Sequence, residues 1–79
     1  MRVTVRFFAS LRETVGTSDR EVEADGGATV RTIWDLATGG REPPSRLLVS
    51  INLDYAELDD AVGDGDEVAF FPPVTGGGP

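Results

Sequence analysis

The C-terminal stretch is the part of the chain whose residue types point most directly to chemistry. It reads "FFPPVTGGGP", so two prolines follow a run of strand-forming aromatics, and three glycines and a proline close the chain. A terminus this bare either lacks order or must enter a narrow site, because glycine carries no side chain that would collide with a tunnel wall. The rest of the sequence has to decide between these two interpretations.

The other side chains offer little for catalysis or metal binding. The sequence contains neither Cys nor His, which removes the thiolate ligands and nucleophiles and the commonest general base. The adjacent carboxylates Asp59 and Asp60 and the acidic turn "GDGD" suggest a cation site, but solvated turns explain them better. We therefore predict no metal site, and intrinsic enzymatic activity is the least favoured class of function.

Length and charge narrow the class of partner. A chain of 79 residues provides one small domain. Its net charge of -7 argues against nucleic acid and anionic membrane surfaces, which require clustered cations, and favours a basic protein surface. All seven cations are Arg, so apart from its N-terminus the chain offers no amine for an isopeptide bond. The opening "MRVTVRFF" alternates polar and apolar residues, which predicts a cytoplasmic protein without a secretory or membrane-spanning segment.

The elements that must position the tail begin with a strand. "RVTVRFF" alternates in the manner of a half-buried strand, and this alternation leaves Phe8 on the outward face. "SLRE" then predicts a short helix with Ser10 as its N-cap and Glu13 completing a capping box, ended by Gly16. "DREVEA" predicts a second strand, antiparallel to the first.

The main helix is predicted from "TVRTIWDLATGG". Thr29 caps it, an apolar stripe that includes Trp34 runs along one side, and the Gly39–Gly40 pair ends it. "LLVSIN" predicts a third strand, "YAEL" a short edge strand and "EVAFF" a final strand, on which alternation turns Phe71 outward.

Together these elements predict an α+β domain over residues 1–73, followed by a flexible C-terminal tail over residues 74–79. A mixed sheet of four or five strands packed on one main helix, with the first and last strands as central neighbours, is the β-grasp, ubiquitin-like arrangement. The predicted core contains Val3, Val5, Phe7, Ile33, Trp34, Val49, Ile51, Val68 and Phe70.

Two blocks of sequence carry a resemblance to a known family. "FFASLRETVG" near the start and "DGDEVAFFPPVTGG" near the end, taken together, resemble the small subunit of molybdopterin synthase and its ubiquitin-like sulfur-carrier relatives. The resemblance spans nearly the whole chain. A Gly-Gly pair alone says little, whereas the complete block at this distance from a Phe-Phe strand is specific.

The resemblance implies a carrier rather than an enzyme. In such families an ATP-using enzyme related to ubiquitin activators adenylates the C-terminal glycine carboxylate, and sulfur then replaces the AMP to give a thiocarboxylate. By this resemblance Gly77 carries the adenylate and the thiocarboxylate, Gly76 precedes it, and the tail donates its sulfur inside a pocket of the synthase large subunit during molybdenum cofactor synthesis. No cofactor is bound by the chain itself, since the activating enzyme uses the ATP and Mg.

Partner contacts are implied along the last strand and the tail. The family places them at positions matching Phe8, Tyr55 and Phe71. The tail is also expected to contact partners, because Pro72 and Pro73 fix its direction and so reduce the entropy that it loses on docking. The expected partner-binding residues are Phe8, Tyr55, Phe71, Pro72, Pro73, Val74 and Thr75.

The chain departs from the family at its end, because Gly78 and Pro79 follow the Gly-Gly pair. A prolyl carboxylate fits a tunnel shaped for glycine poorly, so a protease trims the tail, or this form is a precursor, or carrier function has been lost. The alternatives within the family are a ubiquitin-like modifier of protein lysines and a sulfur donor for tRNA thiolation or thiamine. The alternative from another class is a non-catalytic β-grasp interaction module with an inert tail.

Overall fold

The computed structural model describes residues 1–73, in which a five-stranded sheet covers one main helix. The elements are β1 (Arg2–Phe7), α1 (Ser10–Val15), β2 (Asp19–Glu23), α2 (Val30–Thr38), β3 (Leu48–Ile51), β4 (Asp54–Ala56) and β5 (Glu67–Phe71). The strand order is β2-β1-β5-β3-β4. This is the predicted β-grasp arrangement, and the short edge strand is present but spans Asp54–Ala56 rather than the predicted "YAEL". No helix within this described range is long and apolar enough to cross a membrane.

The first and last strands are neighbours, as predicted. They run parallel, with Val5 opposite Val68 and Phe7 opposite Phe70, while β1 pairs antiparallel with β2 and β5 with β3. Because alternate residues of a strand point to opposite faces, this register sends Phe7 and Phe70 together into the core. The same register sends the residue after each of them to the other face.

The main helix α2 has the ends that the sequence predicts. The Thr29 hydroxyl accepts a hydrogen bond from the Thr32 backbone N–H, and the helix ends at Gly39, whose φ of 72° is left-handed. The first two N–H groups of the helix donate to the carbonyl oxygens of Asp60 and Leu58. The loop before β5 is thereby fixed to the start of α2.

The capping box predicted at Ser10 is wrong. Helix α1 begins at Ser10, and its N-cap position is Ala9, which has a φ of 53° and makes no side-chain cap. The turn is closed earlier by the backbone, because the N–H of Leu11 donates to the carbonyl oxygen of Phe8. The predicted end is confirmed, since Gly16 adopts a left-handed φ of 93°.

The core is built around Trp34. Its ring meets Phe70 edge to face with centroids 4.9 Å apart and Phe7 at 6.0 Å, and its Nε1–H donates to the Arg41 carbonyl oxygen at 2.6 Å. Of the predicted core residues only Ile51 is not fully enclosed, because it ends β3 at a turn and is half-buried. The buried residues of this core are Val3, Val5, Phe7, Leu11, Val22, Ala28, Val30, Ile33, Trp34, Ala37, Val49, Val62, Val68 and Phe70.

Candidate functional site

The sheet face that points away from α2 has a charged half and an apolar half. In the charged half, Arg2 Nε lies 3.2 Å from Glu23 Oε1 and Arg6 Nε lies 2.7 Å from Glu67 Oε2. The apolar half lies over β5, β3 and β4, next to the point where the chain leaves the sheet. We call it the apolar face, and it consists of Phe8, Leu48, Leu53, Tyr55, Phe71 and Pro72.

Phe8 and Phe71 form the rigid part of the apolar face. Their rings stack with centroids 4.7 Å apart and planes 7° apart, and both side chains are half-buried. The Phe8 N–H donates to the Phe70 carbonyl oxygen at 3.1 Å, which continues the pairing of β1 with β5 beyond the end of β1. The sequence prediction that both aromatics point outward is therefore confirmed, and the structure places them side by side.

Tyr55 completes the set of aromatics predicted to bind partners. Its side chain is 86% exposed, and it stands on β4 opposite Ser50 of β3. Ser50 and Ala69 are buried beneath these larger side chains and make the floor of the apolar face. Large side chains standing around a floor of small ones produce a concave surface.

This surface is a groove of about 420 Å³ lined by Leu48, Ser50, Leu53, Tyr55, Phe71 and Pro72. A smaller hollow of about 70 Å³ adjoins it, and Phe8 lines the hollow together with Phe71 and Leu53. The structure thus brings Phe8, Tyr55, Phe71 and Pro72 together. An apolar groove with few polar groups is suited to receiving side chains of another protein.

The tail begins at one end of this groove. Pro72 lines it, and Pro73 is the last residue that the structure describes, half-buried like Pro72. Val74, Thr75, Gly76 and Gly77, the remaining predicted site residues, lie outside the described residues.

A larger concavity of about 570 Å³ lies beside the start of α2. Arg31 and Arg46 line it, but so do Glu57 and Asp59, so its charges are mixed. The first N–H groups of α2 are already bonded to carbonyl oxygens of the following loop. The concavity therefore has no free helix dipole end with which to bind an anion.

The acidic residues considered for a cation site form turns. Asp60 accepts from the Glu57 N–H at 2.8 Å, Asp64 from the Arg2 N–H at 2.7 Å, and Asp66 from the Gly63 N–H at 2.7 Å. Within residues 1–73 no group of three or more acidic side chains lies close enough to hold a metal ion. These carboxylates stabilise the loops around β5.

Leu53 is a residue of the apolar face that sequence reasoning missed. It is 88% exposed and lines both the groove and the hollow. The signal was present, because two residues, Asn52 and Leu53, separate the third strand from the edge strand, and Asn at the first of two such positions is typical of a tight hairpin.

Known proteins share this sequence and fold. The ThiS family model matches residues 5–77. The molybdopterin synthase sulfur carrier subunit of Escherichia coli K12 is 42% identical, with 95% of this chain and 99% of that protein aligned, and small archaeal modifier protein 1 of Haloferax volcanii is 34% identical, with 91% and 97% aligned. The crystal structure of SAMP1 from Haloferax volcanii has a TM-score of 0.83 and 32% identity, covering 98% of this chain and all of that one. With its apolar groove, its departing tail and this match along nearly its whole length, the chain belongs to the ThiS family.

Proposed function

We propose that this protein is a sulfur carrier whose C-terminal glycine, Gly77, is adenylated and thiocarboxylated and then donates sulfur in molybdopterin synthesis as the small subunit of the synthase. The observation that carries the proposal is the position of the groove, which Phe71 and Pro72 line immediately before the tail begins. A partner that covers the groove is therefore adjacent to the tail. The 42% identity to a sulfur carrier subunit over nearly the whole chain supports the same reading.

The chemistry requires only a carboxylate from this chain. The Gly77 carboxylate attacks the α-phosphate of ATP and pyrophosphate leaves, which gives an acyl adenylate. Hydrosulfide supplied by a sulfur donor then attacks the acyl carbon and AMP leaves with the oxygen, so one carboxylate oxygen is replaced by sulfur and a proton is released. In the large subunit the thiocarboxylate sulfur bonds to a carbon of the pterin precursor and displaces an oxygen leaving group from it. Water then cleaves the acyl–sulfur bond of the resulting thioester, which leaves the sulfur on the pterin and regenerates the Gly77 carboxylate.

The folded body acts as the recognition element. Activation and transfer occur on other proteins, each of which must bind the same carrier and then find its terminus. A body that docks through a preformed apolar groove holds the tail at a constant position relative to the partner, which raises the effective concentration of the carboxylate there. Because activation consumes ATP, we propose that the protein acts in the cytoplasm.

Gly78 and Pro79 require removal before this chemistry. The proline ring fixes its own backbone angle, and the two residues extend the chain beyond Gly77. We propose that a protease removes them to expose Gly77.

The test is reconstitution with the activating enzyme and the synthase large subunit of the same cell. A chain ending at Gly77, incubated with activating enzyme, ATP, Mg²⁺ and a sulfur donor, gains the mass difference between sulfur and oxygen in intact mass spectrometry. Adding the large subunit and the pterin precursor returns the original mass and yields molybdopterin. Omission of ATP is the matched control. An unchanged mass in the complete mixture would contradict the proposal.

Modification of proteins is the second candidate function. The similarity to small archaeal modifier protein 1 in sequence and in fold favours it. Since the chain contains no Lys, it has no side-chain amine on which to build a polymer of itself, and it would be attached to partners as single copies. Tagged protein in its own cells would then give discrete higher-mass conjugates that depend on Gly77. A protein that acts only as a sulfur carrier forms no such conjugates.

A further inference from the structure

The turn between β3 and β4 has an unusual residue at its second position. Ile51 pairs with Asp54, so only Asn52 and Leu53 form the turn, and their φ angles are 50° and 74°. Two successive positive φ values define a type I′ turn, in which the second position is usually Gly. Leu53 therefore adopts a backbone conformation that is unfavourable for a residue with a branched side chain.

Asn52 holds the turn in this conformation. Its side-chain oxygen accepts from the Glu67 N–H at 2.9 Å, its amide nitrogen donates to Asp66 Oδ1 at 3.0 Å, and its backbone N–H donates to the Glu67 carbonyl oxygen at 2.8 Å. These three bonds join the turn to the start of β5. The strained angle at Leu53 persists because its neighbour is fixed.

Burial of the Leu53 side chain does little to offset its unfavourable backbone conformation. It is 88% exposed, in contrast to Leu36 on the regular helix α2, which is 48% exposed. A leucine that is both exposed and in an unfavourable backbone conformation is poorly explained by the stability of the folded chain. Its location explains it better, because Leu53 separates the groove beside Tyr55 and Phe71 from the hollow beside Phe8.

We propose that Leu53 is an anchor residue for the synthase large subunit, whose surface receives its side chain in an apolar pocket while covering the groove. This inference rests on the proposed function and adds a specificity-determining residue to it. The neighbouring carboxylate of Asp54 is exposed, and the chain has a net charge of -7. The pocket is therefore apolar at its centre and bordered by Arg or Lys.

The short tail keeps any protein that encloses the terminal glycine close to the groove, and under the proposed function the synthase large subunit is the protein that accepts the sulfur there. Gly77 is the fourth residue after Pro73, and a fully extended chain of four residues spans at most about 14 Å. A protein that encloses the terminal glycine consequently lies within this distance of the groove end. The partner that accepts the sulfur is then large enough to cover both the groove and Leu53, because a standard interface buries roughly 800 Å² on each partner.

The experiment compares three variants at this position in the full chain. Leu53→Gly suits the turn and removes the side chain. Leu53→Asn introduces a polar residue that tolerates positive φ, and Leu53→Met retains an apolar side chain of similar size. Leu36→Asn, on an exposed leucine of α2, is the matched control. Calorimetry with the purified large subunit gives Kd, and thermal unfolding gives Tm. A further variant, Phe71→Ala, reports whether the large subunit binds the groove itself.

We expect Leu53→Gly and Leu53→Asn to weaken binding about 5- to 30-fold, as for truncation of an anchor residue, with a Tm equal to or above that of the wild type. Leu53→Met should bind within about 3-fold of the wild type, and Leu36→Asn should be unchanged. Wild-type affinity in both Leu53→Gly and Leu53→Asn, with Phe71→Ala impaired, overturns this inference and leaves the proposed function standing. A lower Tm in Leu53→Gly also overturns it, because Leu53 would then serve the fold. Absence of any wild-type complex overturns both.

Discussion

Phe8 and Phe71 stack face to face across two parallel strands, with ring centroids 4.7 Å apart and planes only 7° from parallel. The residues are far apart in the sequence and meet because β1 and β5 are neighbours in register, Phe7 opposite Phe70. Each ring restricts the rotamers of the other, so the pair presents a preorganised surface. Preorganisation reduces the entropy that docking would otherwise cost.

Replacement of Phe71 by Ala separates docking from folding. The side chain is half-buried and makes one aromatic stack, so we expect the free energy of unfolding to fall by about 1 kcal/mol. Binding to the large subunit should weaken by about 1 to 4 kcal/mol, since aromatic residues in a groove are typical hot spots. Urea denaturation and calorimetry measure the two effects. An unfolded variant would show that Phe71 serves the fold. A folded variant that binds normally would show that the Phe71 side chain is not part of the interface.

The two faces of the sheet could be predicted from the sequence because strand alternation has a period of two. In "RVTVRFF" the apolar residues before the last Phe fall at alternate positions, and in "EVAFF" Val68 and Phe70 do, so the second Phe of each pair has to point outward. The helix α2 was equally clear, because Thr29, the apolar stripe and Gly39 all indicate the same element. These signals are local, and each lies within one element.

The features that sequence reasoning missed depend on contacts of different range. Ser10 matches the capping-box pattern, yet the backbone of Phe8 closes the first turn of α1 and leaves Ser10 inside the helix. Leu53 is placed by the three hydrogen bonds that join Asn52 to the start of β5. The Phe8 bond is local, but backbone atoms make it and no side-chain pattern marks it. The Asn52 side chain bonds to residues 14 and 15 positions away, so the sequence indicates the hairpin turn but not the contacts that hold Leu53 in it.

Replacement of Trp34 by Phe tests the core. The ring is fully buried, and its Nε1–H is the donor to the Arg41 carbonyl oxygen at 2.6 Å. The variant leaves a cavity and removes this hydrogen bond, so we expect a loss of about 2 to 4 kcal/mol in the free energy of unfolding. Tyr55→Phe is the control. Because Tyr55 is 86% exposed, the free energy of unfolding of this variant should differ from that of the wild type by less than about 0.5 kcal/mol. Equal stabilities of the two variants would contradict the buried position of Trp34.

The length of the tail should decide how well the chain is activated. Adenylation requires the terminal carboxylate to reach the α-phosphate of ATP, and under the proposed function that carboxylate belongs to Gly77. Gly78 and Pro79 add up to about 7 Å of reach, whereas a displacement of about 1 Å from the reactive geometry costs on the order of 100-fold in rate. The full chain should therefore be a poor substrate.

The assay is ATP-pyrophosphate exchange with the activating enzyme, using chains that end at Gly77, Gly78 and Pro79. All three keep the same body and groove, so we expect equal binding to the enzyme and rates that fall in the order given, with almost no exchange for the chain ending at Pro79. Binding without exchange in the longest chain would locate the defect in the position of the carboxylate. Equal exchange rates for the three chains would mean that the activating enzyme does not read the terminus by its position, and the requirement for trimming at Gly77 would be wrong.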